Sequence, residues 1–304
     1  MTSDVHPGRR STTRPTSAEV SAAPSSRPRR RRSRVTLGLS QALLTVVALV
    51  FLLPIIWMVL SALKSGGEVF TVPPRPFGDK IMWGNFTEAW NYLPFGRFIL
   101  NTLFVACVGT LITLTASAMS AYAFARLHFR MREQLFVVYL STLIVPQEVI
   151  VIPMFLVMQE LGWVNSYKAL ILPWAFTAFG TFLLRQFFLT IPIELEEAAK
   201  IDGAGHVRIL RSIIIPIAAP AFAVLAVFTF ISYWNSFLWP LIIVNDTDQM
   251  TVPLGLQLFL GQQAQRWELL MAAATISMVP TVILVLALQK YLVRGIALSG
   301  LGGR

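Results

Sequence analysis

Cysteine is nearly absent from this 304-residue chain, where Cys107 stands alone. A single thiol excludes an intramolecular disulfide and any Cys-x-x-Cys metal or redox motif. Histidine is almost as scarce, and His6, His128 and His206 lie too far apart in sequence to suggest a metal centre. Charged residues make up 13% of the chain, against about 25% in soluble domains, while 55% are hydrophobic. No G-x-x-x-x-G-K-[ST] phosphate loop occurs, so the chain is not expected to bind or hydrolyse ATP. Nor does any G-x-S-x-G, H-E-x-x-H or paired-carboxylate pattern support an enzyme. The composition is that of a protein that crosses a membrane several times.

The formal charge of +10 is unevenly spread, with nine of the 25 lysines and arginines in the first 34 residues. That stretch is rich in Ser, Thr and Pro and ends in an arginine run from Arg27 to Arg34. It holds too few apolar residues to offset chain entropy, so residues 1–34 are expected to form a disordered basic cytoplasmic arm. The run reads as a topology determinant ahead of a contact with anionic lipid or nucleic acid. The apolar run at 35–63 has no small-residue cleavage site at its end, which favours a retained anchor over a signal peptide.

About 20 apolar residues cross a bilayer core. Residues 35–63, 98–125, 134–159, 169–184, 212–245 and 269–289 qualify, the fourth by letting Arg185 snorkel and adding a turn at 186–189. With the N-terminus inside, 19 basic residues fall on cytoplasmic pieces and 6 outside, which places both ends and residues 185–212 in the cytoplasm. Pro54, Pro146, Pro153, Pro173, Pro216, Pro220, Pro240 and Pro280 fall within these runs. Together they suggest a bundle that must change shape, although structural bending alone explains any one of them.

The segment from Glu197 to Gly205 is a polar island between two apolar runs. Pro192 with Glu194, Glu196 and Glu197 predicts a helix start, Gly203 and Gly205 a break, and 206–215 a second short helix running up to Pro216. Leu195, Ala198, Ala199 and Ile201 are available to pack. Physical reasoning weighs a plain interfacial loop and a docking surface equally.

The run from Pro192 through Glu197-Ala198-Ala199-Lys200-Ile201-Asp202-Gly203-Ala204-Gly205 to Pro216 and Pro220 resembles the EAA loop of binding-protein-dependent ABC importer permeases. The nearer likeness is to the second permease of maltose-type carbohydrate importers. It extends over roughly residues 40–296, through Asn85-Phe86, Pro94 to Phe98, Asn101-Thr102, Pro146-Gln147-Glu148, Gly180 to Gln186, Thr251 to Leu256 and Gln289 to Gly295. The resemblance implies an all-α membrane protein with six spans, the type I importer permease fold and a bacterial cell-membrane location. It implies a permease domain at 35–296, a coupling loop at 190–216 and a cytoplasmic tail at 297–304. It gives Glu197, Ala198, Ala199, Asp202 and Gly203 the task of docking a separate ATPase. The implied partners are a second homologous permease, an ATPase dimer that binds the ATP and Mg, an extracytoplasmic solute-binding protein, membrane lipid and a sugar. Glycerol-phosphate-type substrates are left open, because they use similar permeases. No nucleic acid and no cofactor in this chain are implied. The tail from Gly295 to Arg304 departs from the pattern, lacking a lysine often found near the family's terminus.

Glu148, the one acid inside a run, lines a substrate pathway or serves structural pairing, with pairing favoured. Tyr233, Trp234 and Asn235 are further pathway candidates, near Phe228, Phe230, Phe237 and Trp239, though packing is favoured for the aromatics. Asn85 and Asn245 match a glycosylation sequon by chance. The rival from another class is a secondary transporter driven by an ion gradient, which predicts paired ionisable groups near mid-membrane. A membrane-anchored enzyme or scaffold lacks any catalytic constellation.

Overall fold

The computed structural model describes residues 34–261 and 266–301. The basic arm, Arg34 aside, and residues 302–304 of the tail lie outside them. The chain divides into two compact units, Met1–Phe51 and Leu52–Arg304. Helix α1 (Arg34–Ala62) begins in the first, where apolar residues such as Leu44 and Phe51 are exposed along it.

The second unit continues through α2 (Gly84–Tyr92), α3 (Phe95–Arg126), α4 (Arg132–Ser141), α5 (Gln147–Glu160), α6 (Tyr167–Ile171) and α7 (Ala178–Leu189). There follow α8 (Glu194–Ile201), α9 (His206–Ile209), α10 (Ile215–Ile217), α11 (Ala219–Trp234), α12 (Leu238–Ile243), α13 (Val252–Gly261) and α14 (Trp267–Leu301). No strand occurs among the described residues. Helix α14 runs on through residues 297–301, which the sequence had assigned to a separate tail.

Among the described residues, three helical stretches are long and apolar enough to span a membrane unaided: Ser40–Ala62, Phe95–Arg126 and Trp267–Lys290. Three more candidates are bent pairs rather than continuous helices. Arg132–Ile144 meets Gln147–Glu160 at 100°, Tyr167–Trp174 meets Ala178–Leu189 at 46°, and His206–Ile217 meets Ala219–Trp234 at 83°. The expected run at 212–245 is therefore three pieces, broken at Ala218 and again between Trp234 and Leu238. No charge marks either break, so a criterion based on uncharged length merged them.

Proline explains most of the breaks. Pro146 caps the start of α5, Pro173 sits in a 3₁₀ turn after α6, and Pro220 lies in the first turn of α11. Pro216 supplies no N–H, and just before it Leu210–Ile214 forms a π-helical turn in which the Ile215 N–H reaches back to the Leu210 carbonyl. Pro54, Pro153 and Pro280 instead remain inside helices.

Helix α3 passes three apolar clusters in turn. Phe95 and Phe98 pack with Val252, Phe259 and Leu269; Val105 and Ala106 with Met158, Leu170, Tyr233 and Trp239; and Ala118, Ala121, Tyr122 and Ala125 with Leu184, Phe188, Ile209 and Ile214. Small buried residues at Ala106, Gly109, Thr113, Ser117, Ala121 and Ala125 recur every three or four positions, so neighbouring helices approach closely. At Gly109 a Cβ would stand 2.6 Å from the Tyr233 ring.

At the first end of α3 the exposed Arg97 pairs with Asp248 (3.0 Å), and the buried polar groups beside it are satisfied by neutral partners. The Asn101 amide donates to the carbonyls of Asp248 (2.8 Å) and Met250 (2.9 Å) and accepts from the Tyr167 hydroxyl (2.8 Å). Asn85 is buried and donates to the carbonyls of Ala62 and Lys64, both at 2.8 Å, so its side chain is a structural tie rather than a glycan acceptor.

Candidate functional site

Two places gather the residues singled out from sequence, and they differ in chemistry. The first is the loop that joins α7 to α11. Helix α8 starts with Glu194, Glu196 and Glu197 in its first turn, where carboxylates complement the positive helix end. It closes with N–H groups of Asp202, Gly203 and Ala204 donating to the carbonyls of Ala198, Lys200 and Ala199. Gly203 has φ +78°, a left-handed conformation that glycine adopts at little cost. Pro192 precedes α8 rather than lying in its first turn, and the second helical stretch continues past Pro216 to Ile217.

This loop has distinct inner and outer faces. Glu197, Ala198, Asp202 and Gly203 are exposed, whereas Ala199 packs inward with Ala204, Ile209 and Ile214. Of the four residues expected to pack, Leu195, Ala198 and Ile201 instead face outward, and Ile201 is 87% exposed. Val207 on α9 is 81% exposed, so the outer face carries two bare apolar side chains beside Glu197 and Asp202.

The inner face holds a charged cluster that the sequence did not single out as a site. Glu196 is 1% exposed and its Oε1 lies 2.7 Å from Nε of Arg126, at the end of α3. The Tyr122 hydroxyl donates to Glu196 Oε2 (3.3 Å) and lies 3.2 Å from Nδ1 of His206. Arg126 also donates to the carbonyls of Phe188 (2.7 Å) and Ile191 (2.6 Å). The available signal was helical spacing: Glu196 lies three residues before inward-facing Ala199, whereas Glu197 does not share that face.

The second place is a cavity of about 840 Å³ between the α4–α5 break, residues 173–179 and the α11–α12 junction. Glu148, Tyr233 and Asn235 all line it. Glu148 sits exposed in the first turn of α5, and no cation pairs with it among the described residues. The Tyr233 hydroxyl donates to the Ile171 carbonyl (2.9 Å), and Nε1 of Trp239 donates to the Ala169 carbonyl (2.8 Å), which fixes both rings. Trp234 does not line the cavity. It is buried, stacks on Phe230 at 5.6 Å and donates to the Ser277 carbonyl of α14 (3.2 Å).

The cavity's chemistry is aromatic and neutral-polar. Trp174, Phe179, Phe228, Phe237 and Trp239 alternate with Thr142, Gln147, Thr177, Ser232, Asn235 and Ser236. Its lining includes one carboxylate, Glu148, and no lysine, arginine or histidine. Sequence missed most of these residues because they come from four separate segments. Among the described residues no three His, Cys, Asp or Glu side chains gather where they could hold a metal ion.

Comparison with known proteins is consistent along most of the chain. Residues 113–298 match the model of the family described as binding-protein-dependent transport system inner membrane component. The sn-glycerol-3-phosphate transport system permease protein UgpE of Pectobacterium atrosepticum is 37% identical over 265 residues, covering 84% of this chain and 94% of that protein. Its counterpart in Yersinia pestis is 35% identical over 262 residues, covering 84% and 93%. Among solved structures, a chain of a bacterial ABC transporter involved in the import of the acidic polysaccharide alginate superposes with a TM-score of 0.74. It is 25% identical, with 86% of this chain and 98% of that chain covered.

Proposed function

Because this chain belongs to the family of binding-protein-dependent transport system inner membrane components, we propose that its α8–α9 loop docks a separate ATPase and that its cavity passes an uncharged sugar or polyol. The chain is a membrane permease subunit of an ABC-type importer and not an enzyme. The ion-gradient alternative finds no support in the family.

The docking reading rests on the loop's exposed outer face: Glu197, Ala198, Asp202 and Gly203 with Ile201 and Val207, on a turn set by a left-handed glycine. Small and apolar residues rimmed by acids suit a protein partner. Each bent pair is counted as one span, giving six, and the distribution of basic residues puts both ends and this loop in the cytoplasm. The arm at 1–34 and the tail are placed on the same side. ATP and Mg belong to an ATPase dimer, and a second homologous permease completes the pathway. An extracytoplasmic binding protein delivers solute.

The substrate reading rests on the cavity lining. Aromatic rings with hydroxyl and amide groups suit a ligand that presents both C–H faces and hydroxyls. A phosphate or uronate would meet Glu148 and find no cation there. The relatives named for sn-glycerol-3-phosphate therefore differ from this chain in the solute proposed. In uptake competition, a neutral sugar mixture should inhibit and sn-glycerol-3-phosphate should not; the reverse order refutes the substrate reading. Docking is tested by copurification: Glu197→Lys and Gly203→Pro should each lose the ATPase subunit, and normal recovery from both refutes it.

A further inference from the structure

The buried cluster beneath the loop has no place in the docking face, yet it joins three separate parts of the chain. Arg126 ends α3, the carbonyls of Phe188 and Ile191 lie at the end of α7 and in the segment after it, and Glu196 belongs to α8. Tyr122, one turn back on α3, brings His206 of α9 into the same group. The ionic side chains are 8% and 1% exposed.

We infer that Arg126 and Glu196 are positioning residues that clamp the loop to α3 and α7, so that movement imposed on α8 is delivered to those helices. The inference rests on the loop's being a docking site. Without a clamp, two short helices joined at Gly203 would tilt on the turn and lose a push from outside. Apolar contact at Ala199, Ala204 and Ile209 holds the loop down but is non-directional. The planar, forked Arg126 guanidinium donates through Nη2 to two carbonyls at the end of α7 and just after it, which fixes its orientation. Its ion pair with Glu196 fixes the distance to α8. Burying such a pair adds little net stability, which fits a role in fixing geometry.

The test uses the complete transporter in proteoliposomes and reads ATPase recovery, ATP hydrolysis and solute uptake together. Glu196→Gln keeps the side chain's shape and removes its charge; Arg126→Lys keeps the charge and removes the fork. Each variant should recover the ATPase subunit normally while solute moved per ATP falls about tenfold, inside the range of measured coupling effects. An unchanged ratio in both variants, with ATPase recovered, would reduce the cluster to scaffold. Loss of ATPase recovery in both would make it part of the docking face, which also overturns the inference. Should Glu196→Gln fail to accumulate in the membrane, Arg126→Lys, which leaves no lone buried charge, is read by the same criteria. Glu197→Lys serves as the separate control: if it keeps its ATPase, the docking reading has failed, whatever the clamp variants show.

Discussion

The loop and the cavity treat charge in opposite ways. Under the loop an arginine and a glutamate are buried against each other, with Tyr122 bridging to His206. Around the cavity the lining is aromatic and neutral-polar, with Glu148 alone and exposed. A joint needs one fixed geometry, and a buried ion pair supplies it because any other arrangement leaves a charge without a partner. A passage must bind and release its solute, so strong fixed charges would trap or exclude it. Under the proposed function, the difference separates a part built to hold from a part built to let go.

Mutations at the two places should diverge accordingly. Arg126→Ala strands the Glu196 carboxylate and should cost about 3–5 kcal/mol in thermal unfolding of the detergent-solubilised protein. At the exposed Glu148, Glu148→Gln should change stability by less than about 0.5 kcal/mol. Equal losses at the two sites would erase the contrast. Gly109→Val should cost about 1–3 kcal/mol by forcing the Tyr233 ring away from α3, with the same assay as readout. Tyr233→Phe removes the donor to the Ile171 carbonyl and should cost about 1 kcal/mol, with a larger effect on uptake than on folding.

The smallest effect lies outside both places, at the turn between α1 and α2. The backbone N–H of Asp79 and then Ser65, through its hydroxyl and its N–H, hold the Glu68 carboxyl below its usual value. A lowered folded value means stabilisation that is present above the ordinary carboxylate range and lost as pH falls through the folded pKa. The hydrogen-exchange protection factors of residues 65–79, corrected for the intrinsic slowing of exchange in acid, should therefore fall as pH drops below the ordinary carboxylate range, and Glu68→Gln should flatten that dependence.

How much of this could be read from sequence also differs between the two places. The loop obeys local rules: acids at a helix start, glycine at its end, a proline-marked restart. Those rules gave the helix and its glycine break, while the family resemblance supplied the docking residues Glu197, Asp202 and Gly203; neighbouring Glu196 turns inward and carries the contact with α3. The cavity depends on tertiary assembly of segments between residues 113 and 239. Glu148 stood out because it is charged, whereas Trp234 and Asn235, adjacent in sequence, go to opposite fates at the end of α11. The three unbroken spans were read almost to their ends. Pro146, Pro216 and Pro220 marked the bends near Val145 and Ala218, but not that these turn by 100° and 83° and divide the runs, because uncharged breaks leave no mark in hydropathy.

The most direct test of the coupling account is ATP-driven solute uptake by proteoliposomes holding the complete transporter, with a proton uncoupler present. The account predicts sustained uptake by the native chain and loss of uptake in Glu197→Lys. Uptake that stops when the uncoupler is added, or continues at the native rate in Glu197→Lys, would contradict it.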